Sequence, residues 1–233
     1  MEWTGISGRL YRVCDWLMRL LRVNLIWLTF NFPIVYLSLA MLYAKDMGEL
    51  YWILFTIIAL LPFTFFPATV AMFALVRRAV MHRMHHQLLR HFWLFYRQNY
   101  GKALLGGLVI TLVWGIWLIN YQLLQTEIGS PLFYTYLVFT VFLLAFSSYF
   151  MADTVHVQLR VWASFRKALL MSLSFPHYTI SSIGISLVAL YMLYQIHPLF
   201  LMLYGGIIPV LLCFLSYYLI FIRAGKLLKP QME

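Results

Sequence analysis

The sequence predicts an all-α polytopic membrane protein, a bundle of about six transmembrane helices with amphipathic interfacial helices on the cytoplasmic side. Of the 233 residues, 64% are hydrophobic and 10% are charged, whereas soluble domains usually carry about a quarter charged residues. Six long apolar segments contain no Lys, Arg, Asp or Glu in their interior. The basic residues gather in alternate connecting segments, which is typical of membrane proteins.

Six segments are long enough to cross a bilayer, because a spanning helix needs about 20 mostly apolar residues. The predicted outer loops, AKDMGEL, QTEIGS and QIHP, are too short to hold a soluble domain. The chain is therefore predicted to be a single integral membrane domain over residues 1–233. The predicted spans are Val23–Tyr43, Tyr51–Val76, Ala103–Leu124, Pro131–Met151, Tyr178–Tyr194 and Leu199–Ile222.

The distribution of positive charge predicts the orientation of the bundle. Of the 17 Lys and Arg residues, all except Lys45 lie in the two terminal segments, the loop between spans two and three, or the loop between spans four and five. Because such residues favour the cytoplasmic side, both termini are predicted to be cytoplasmic. The net charge of +10 thus indicates contact with anionic inner-leaflet lipids, worth about 1 kcal/mol per basic residue, and no nucleic-acid partner is expected.

Apolar stripes at helical spacing precede three of the spans, with basic residues on the opposite helix face of the second stripe. Such segments are predicted to be interfacial helices on the inner leaflet. The opposite face of the second stripe carries Arg90 and Arg97. The stripes are Leu10, Cys14, Leu17 and Leu21; Leu88, Phe92, Phe95 and Asn99; and Val155, Leu159 and Trp162.

A short internal similarity raises the hypothesis of a three-part repeat. The segment RQNYGKALLGGL precedes the third span and ASFRKALLMSLS precedes the fifth. Each unit would be an interfacial helix followed by a helical hairpin, over about residues 1–76, 77–151 and 152–233. Parallel repeats of this kind occur in transporters, and they also arise by duplication without any transport role.

Prolines and polar residues within the spans are candidates for function or for packing. Pro33, Pro62, Pro67 and Pro209 predict bends, because proline removes a helical hydrogen bond. A bent helix can line a cavity, although ordinary bending for packing is the interpretation favoured at any one proline. Asn24 and Asn31 lie seven residues apart and therefore share a helix face, where interhelical hydrogen bonds are the favoured interpretation.

Asp153 is expected to have a partner, because an ionised side chain at a membrane boundary is costly on its own. Arg160 would lie on the same helix face if the fourth span continued into the loop, and His156 is three residues away. Arg160 and His156 are therefore the two candidate partners of Asp153.

The segment VRRAVMHRMHHQLLRHFWLFYRQ, Val76–Gln98, is the largest predicted inner segment and the best candidate for a docking surface. His82, His85 and His86 could share a helix face, but arginines are interleaved with them and no acid or cysteine lies nearby in sequence. Zinc prefers three or four converging neutral or anionic ligands, so no metal site is predicted. A pH-sensitive contact with lipid or a cytosolic partner is favoured, because histidine titrates near neutrality.

Three segments carry a resemblance to a known family: NLIWLTFNFPIV, FFPATVAMFALVRR and FWLFYRQNYGKALLGG. Together they resemble the YesL-like family of bacterial integral membrane proteins. This chain places about 30 residues between the two proline motifs that many members join directly, enough for an added outer loop. The motif positions are Asn24, Trp27, Pro33, Pro67, Ala68, Thr69, Phe92, Tyr96, Arg97, Asn99 and Tyr100.

The resemblance implies a multi-pass protein of the bacterial plasma membrane, often encoded beside sugar ABC importers and glycan-degrading enzymes. It supplies no catalytic residues and no established activity. The expected function is a non-enzymatic accessory or scaffold subunit of a carbohydrate uptake system, whose partners are integral membrane subunits such as ABC importer permeases. The alternative is a small autonomous transporter or facilitator for sugars or oligosaccharides.

An enzyme is not expected, because the sequence contains no HExxH, no GxSxG and no paired acids. No cofactor is expected either. The candidate functional residues are therefore polar, aromatic, proline and basic positions that could contact partners. They are Asn24, Asn31, Pro33, Pro67, Thr69, Arg77, Arg78, Phe92, Arg97, Asn99, Lys102 and Asp153.

Overall fold

A computed structural model describes residues 6–81, 87–127, 131–157 and 160–228. Within these ranges all regular secondary structure is helical, as predicted. A 3-10 turn covers Met41–Tyr43 and a π-helical turn covers Leu61–Phe65. The α-helices are α1 Ile6–Phe30, α2 Phe32–Ala40, α3 Met47–Leu60, α4 Phe66–Val80, α5 Leu88–Glu127, α6 Pro131–His156, α7 Val161–Ser174, α8 Pro176–Ile196, α9 Pro198–Tyr204 and α10 Ile207–Leu228.

Long apolar helices confirm the predicted class of polytopic membrane bundle. Among the described residues, five helical stretches are long and apolar enough to cross a membrane, and a bent pair brings the number to six if it forms one span. The five stretches are Met47–Val80, Leu88–Tyr121, Phe133–His156, Pro176–Ile196 and Ile207–Ala224.

The bend predicted at Pro33 in the first span, Val23–Tyr43, is confirmed as a break between two helices. The helical stretches Val13–Phe30 and Phe32–Tyr43 meet at an angle of 75°. Pro33 lies in the first turn of α2, and it cannot donate the backbone hydrogen bond that would continue α1. The Asn31 side chain donates through Nδ2 to the carbonyl of Trp27 at 2.9 Å, which also accepts the backbone N–H of Asn31 at 3.0 Å.

The sixth predicted span, Leu199–Ile222, is also divided between two helices, because α9 ends at Tyr204 and α10 begins at Ile207. Gly205 and Gly206 form the turn between them. Pro209 lies in the first turn of α10. Backbone N–H groups in the first turn have no acceptor within the helix, so proline costs no hydrogen bond there. The hydropathy of the segment is continuous, so apolar content alone gave no signal of this break.

Helix α5 is 40 residues long, or about 60 Å. It joins the predicted surface helix and the third span into one uninterrupted element, so the two are not separate helices. Gly106 faces the ring of Phe150 on α6, and Gly107 faces the ring of Phe66 on α4. These two glycines let α5 pack closely against both neighbours.

The third predicted stripe does not form a single helix face. Val155 belongs to α6, which ends at His156, whereas Trp162 belongs to α7; Leu159 lies outside the described residues. The amphipathic helix at this position is α7, which buries Phe165 and Ala168 and leaves Trp162 81% exposed. Its buried face packs on α6.

Helix α4 is the centre of the bundle. Every residue from Phe66 to Val76 is buried, and α4 contacts α1, α5, α6 and α10. Because its last turn carries Arg77 and Arg78, the central helix delivers two cations to one end of the bundle. We call this the basic end, where the last turn of α4, the first turns of α5, the last turn of α6, and α7 meet.

Candidate functional site: a basic cavity and a buried ion pair

A cavity of about 810 Å³ opens at the basic end. This volume lies within the range of small-molecule binding pockets. The walls come from the end of α4, the first half of α5 and the end of α6. The lining residues are Ala74, Arg77, Arg78, Met81, His91, Phe95, Gln98, Asn99, Lys102, Thr154 and Val155.

Among the described residues, the cavity wall carries three permanent cations, Arg77, Arg78 and Lys102, and no carboxylate. Arg77 donates through Nη1 to the backbone carbonyl of Val155 at 2.7 Å, which ties α4 to α6. The Arg78 guanidinium lies 4.6 Å from the centre of the Phe95 ring, which ties α4 to α5 through a cation–π contact. Both guanidinium groups are thus held in place and retain further N–H donors.

Four of the predicted functional residues converge on this cavity, namely Arg77, Arg78, Asn99 and Lys102. Asn99 donates through Nδ2 to the carbonyl of Phe95, one turn earlier on α5, at 3.1 Å. Its amide is therefore fixed against the helix backbone. The basic character of this region is visible in the sequence, and the structure adds that cations from two different helices share one concave site.

A buried ion pair lies behind the α6 wall of the cavity. Asp153 is 0% exposed, and its Oδ1 atom lies 2.5 Å from Nζ of Lys167 on α7. The Tyr217 hydroxyl on α10 donates to the same carboxylate oxygen at 2.8 Å, and Lys167 donates to the Tyr217 oxygen at 3.1 Å. Thr154 and Val155, which follow Asp153 on α6, line the cavity.

Arg160, one of the two candidate partners read from the sequence, does not pair with Asp153, whose ion-pair partner is Lys167. Helix α6 ends at His156, and Arg160 is an exposed residue that precedes α7. Because the helix does not continue, the two residues do not share a face. Lys167 takes the place of Arg160, since α7 folds back along α6.

Sequence reasoning missed the roles of Lys167 and Tyr217. They lie 14 and 64 residues from Asp153, so no local spacing connects the three groups. Lys167 also stands beside Arg166 in what reads as an ordinary basic loop. The only available signal was Asp153 itself, a carboxylate near a span that required some cationic partner.

A second group of predicted residues lies away from the cavity, in an internal polar contact. Asn24 is 0% exposed and donates through Nδ2 to the carbonyl of Met202 on α9 at 2.9 Å. Trp27 donates through Nε1 to the Thr69 hydroxyl at 3.1 Å. A Cβ atom on Gly206 would lie 2.6 Å from Oδ1 of Asn24, so this contact requires glycine at the α9–α10 break.

The remaining predicted residues lie outside the cavity: two prolines are at helix starts, one aromatic residue is in the core, and one arginine is on the surface. Pro33 begins α2, and Pro67 is buried in the first turn of α4. Phe92 is a fully buried core residue whose ring centre lies 4.8 Å from that of Phe30. Arg97 is exposed on another face of α5. The histidines predicted to make a pH-sensitive contact, His82, His85 and His86, lie outside the described residues.

Comparisons with known proteins identify similarity to a family of unknown function and to an uncharacterised protein. Residues 47–121 match the profile of a family described as "Protein of unknown function, DUF624". The chain is 26% identical over 211 residues to the "Uncharacterized protein YteU" of Bacillus subtilis (strain 168), which covers 90% of this chain and 80% of that protein. No solved structure matches the chain. The matched family region contains α3, α4 and most of α5, and with them most of the cavity wall.

Proposed function

We propose that the protein is a non-enzymatic accessory subunit of a bacterial plasma-membrane assembly, with a carbohydrate importer of the ABC type as its partner. The proposal rests on the similarity to an uncharacterised Bacillus subtilis protein, on the apolar helices of this chain, on the resemblance to the YesL-like family, and on the surface of α5. The YesL-like relationship is itself part of the proposal. The observation that carries the accessory role is an exposed face of α5 in which aromatic, aliphatic and arginine side chains alternate.

This docking face consists of Leu89, Arg90, Trp93, Leu94 and Arg97. Trp93 is 55% exposed and Leu89 is 62% exposed, and both arginines are exposed as well. The face also borders a shallow cavity of about 380 Å³. Tryptophan and arginine are enriched where protein interfaces are strongest, and a continuous helix presents them without ordering a loop on binding.

The test is affinity capture from native membranes, with a matched pair of variants. Wild-type protein should recover importer subunits in a fixed ratio. The variant Leu89→Ala with Trp93→Ala should recover less than about a tenth as much, because truncating a central interface aromatic costs about 2 kcal/mol or more. The control carries Leu42→Ala and Trp52→Ala, equally exposed apolar side chains on α3 and the 3-10 turn before it, and should recover as much as wild type. Capture of the protein alone would contradict the proposal.

A second candidate function, autonomous transport of sugars or oligosaccharides, is favoured by one observation. The bent pair α1–α2 and the broken pair α9–α10 contact each other through Asn24 and the Met202 carbonyl. Broken helices that meet within the bilayer form the substrate sites of several transporter folds. Sugar uptake into proteoliposomes that contain this chain alone would favour transport over the accessory role, and a flat result across a panel of sugars would exclude it.

A further inference from the structure

The cavity at the basic end contains more positive charge than the described part of the chain neutralises. The described residues form two ion pairs, Arg19 with Asp15 and Lys167 with Asp153. Neither pair includes Arg77, Arg78 or Lys102. Three cations that line one concave site without an anion repel one another. Such an arrangement favours an anion that binds from outside the chain.

Asp46 and Glu49 are the carboxylates outside these two pairs whose side chains the structure describes, and neither lines the cavity. The Asp46 side chain accepts from the Glu49 backbone N–H at 2.7 Å and caps the start of α3. Glu127 lies 25 residues from Lys102 on the same helix, which is about 37 Å along the axis. Glu2 and Glu233 lie outside the described residues. An internal counter-ion is thus not available within the described part of the chain.

The three cations are arranged for a group with several acceptor oxygens. Arg77 is fixed by the Val155 carbonyl, and Arg78 by the face of the Phe95 ring, so their remaining N–H groups are preorganised. Planar guanidinium groups bind phosphate oxygens in pairs, and lysine contributes a point charge. A phosphate group has enough oxygens to bridge donors from both α4 and α5, whereas a carboxylate has only two.

We propose that this cavity binds a phosphate group, carried either by an anionic phospholipid headgroup or by a soluble phosphorylated molecule. The volume of about 810 Å³ is much larger than a phosphate ion, so it leaves room for the glycerol, sugar or other group esterified to it. The site is independent of the docking face, and the inference does not depend on the accessory role.

The test uses the full-length protein in nanodiscs and two probes. Inorganic phosphate is titrated by calorimetry into protein in phosphatidylcholine nanodiscs, and retention of fluorescent phosphatidylglycerol is measured in mixed nanodiscs. The variants are Arg78→Gln and Lys102→Gln, each of which should weaken binding about tenfold or more, equivalent to about 1.4 kcal/mol. The control is Arg166→Gln, an exposed arginine on α7, and should bind as wild type does.

The two probes distinguish the source of the phosphate. Binding of inorganic phosphate that depends on Arg78 and Lys102 supports a soluble phosphorylated ligand, and retention of phosphatidylglycerol with the same dependence supports a lipid headgroup. The proposal is overturned if, for each probe, wild type binds no more tightly than Arg78→Gln and Lys102→Gln do. It is also overturned if Arg166→Gln weakens binding as much as those two variants do. Because two cavity residues on different helices are changed separately, a folding defect in one variant leaves the other to decide.

Discussion

Replacing Lys167 with methionine is expected to lower the free energy of unfolding by about 3 kcal/mol. Removing one partner of a buried ion pair typically costs about 3–5 kcal/mol, because the other charge remains buried without compensation. Asp153 is fully buried, while the Lys167 side chain is 25% exposed, which places the expected cost at the lower end. In this variant the Tyr217 hydroxyl would still donate its hydrogen bond to the Asp153 carboxylate.

The measurement is unfolding of purified protein in detergent, with the adjacent Arg166→Met variant as control. Arg166 lies on the same helix and is exposed, so its replacement should change the unfolding free energy by less than about 0.5 kcal/mol. The double variant Asp153→Asn with Lys167→Met should be more stable than Lys167→Met alone, because it removes the orphaned charge. Equal losses for Lys167→Met and Arg166→Met would show that the ion pair does not stabilise the bundle.

Replacing Gly106 with alanine is expected to cost about 1–3 kcal/mol by overpacking. The added Cβ would lie on the Phe150 ring, at a separation no real methyl group tolerates. Phe150 has little room to move, because it is 1% exposed and its ring stacks on Phe165 at a centroid distance of 4.3 Å. The helices α5 and α6 would therefore have to separate.

The matched control for this change is Gly115→Ala on the same helix. No atom lies within 4 Å of a Cβ at Gly115, so alanine there should be neutral or stabilising by up to about 1 kcal/mol through helix propensity. Thermal unfolding in detergent compares the two variants directly. If Gly106→Ala were no less stable than Gly115→Ala, close packing of α5 against α6 would be disproved.

The helical membrane class followed from the sequence because it depends on local quantities. The length of an apolar run and the charge of the loops beside it can be counted along the chain. Neither quantity depends on tertiary contacts. The cationic character of the cavity was visible for the same reason, since Arg77, Arg78 and Lys102 lie close to a single predicted loop. Their convergence on one concave site depends on the antiparallel packing of α4 and α5.

The breaks in the first and last membrane segments could not be predicted from hydropathy. Both segments are apolar throughout, and membrane helices often tolerate proline with only a modest bend. The 75° turn before Pro33 and the turn at Gly205 and Gly206 depend on tertiary partners. One such partner is Asn24, whose contact with Met202 spans 178 residues of sequence.

Long-range pairing also explains why the sequence does not reveal Lys167 as the ion-pair partner of Asp153. Helical spacing favours Arg160 only if α6 continues, and the sequence alone does not reveal that the helix ends at His156. The correct partner is supplied by a separate short helix. A buried charge thus predicted the existence of a cationic partner, and tertiary packing determined which cation it was.

The accessory-subunit proposal and the phosphate-site proposal both place the basic end of the bundle on the cytoplasmic side. Cysteine labelling tests this requirement in a Cys14→Ser background, where the remaining Cys213 is buried. Gln98→Cys places a thiol on the cavity wall, and Tyr51→Cys places one on exposed α3 at the predicted outer end. A membrane-impermeant maleimide should label Gln98→Cys only in inside-out vesicles and Tyr51→Cys only in right-side-out cells. Labelling of Gln98→Cys from outside the cell would place the cavity and the docking face on the wrong side of the membrane and contradict both proposals.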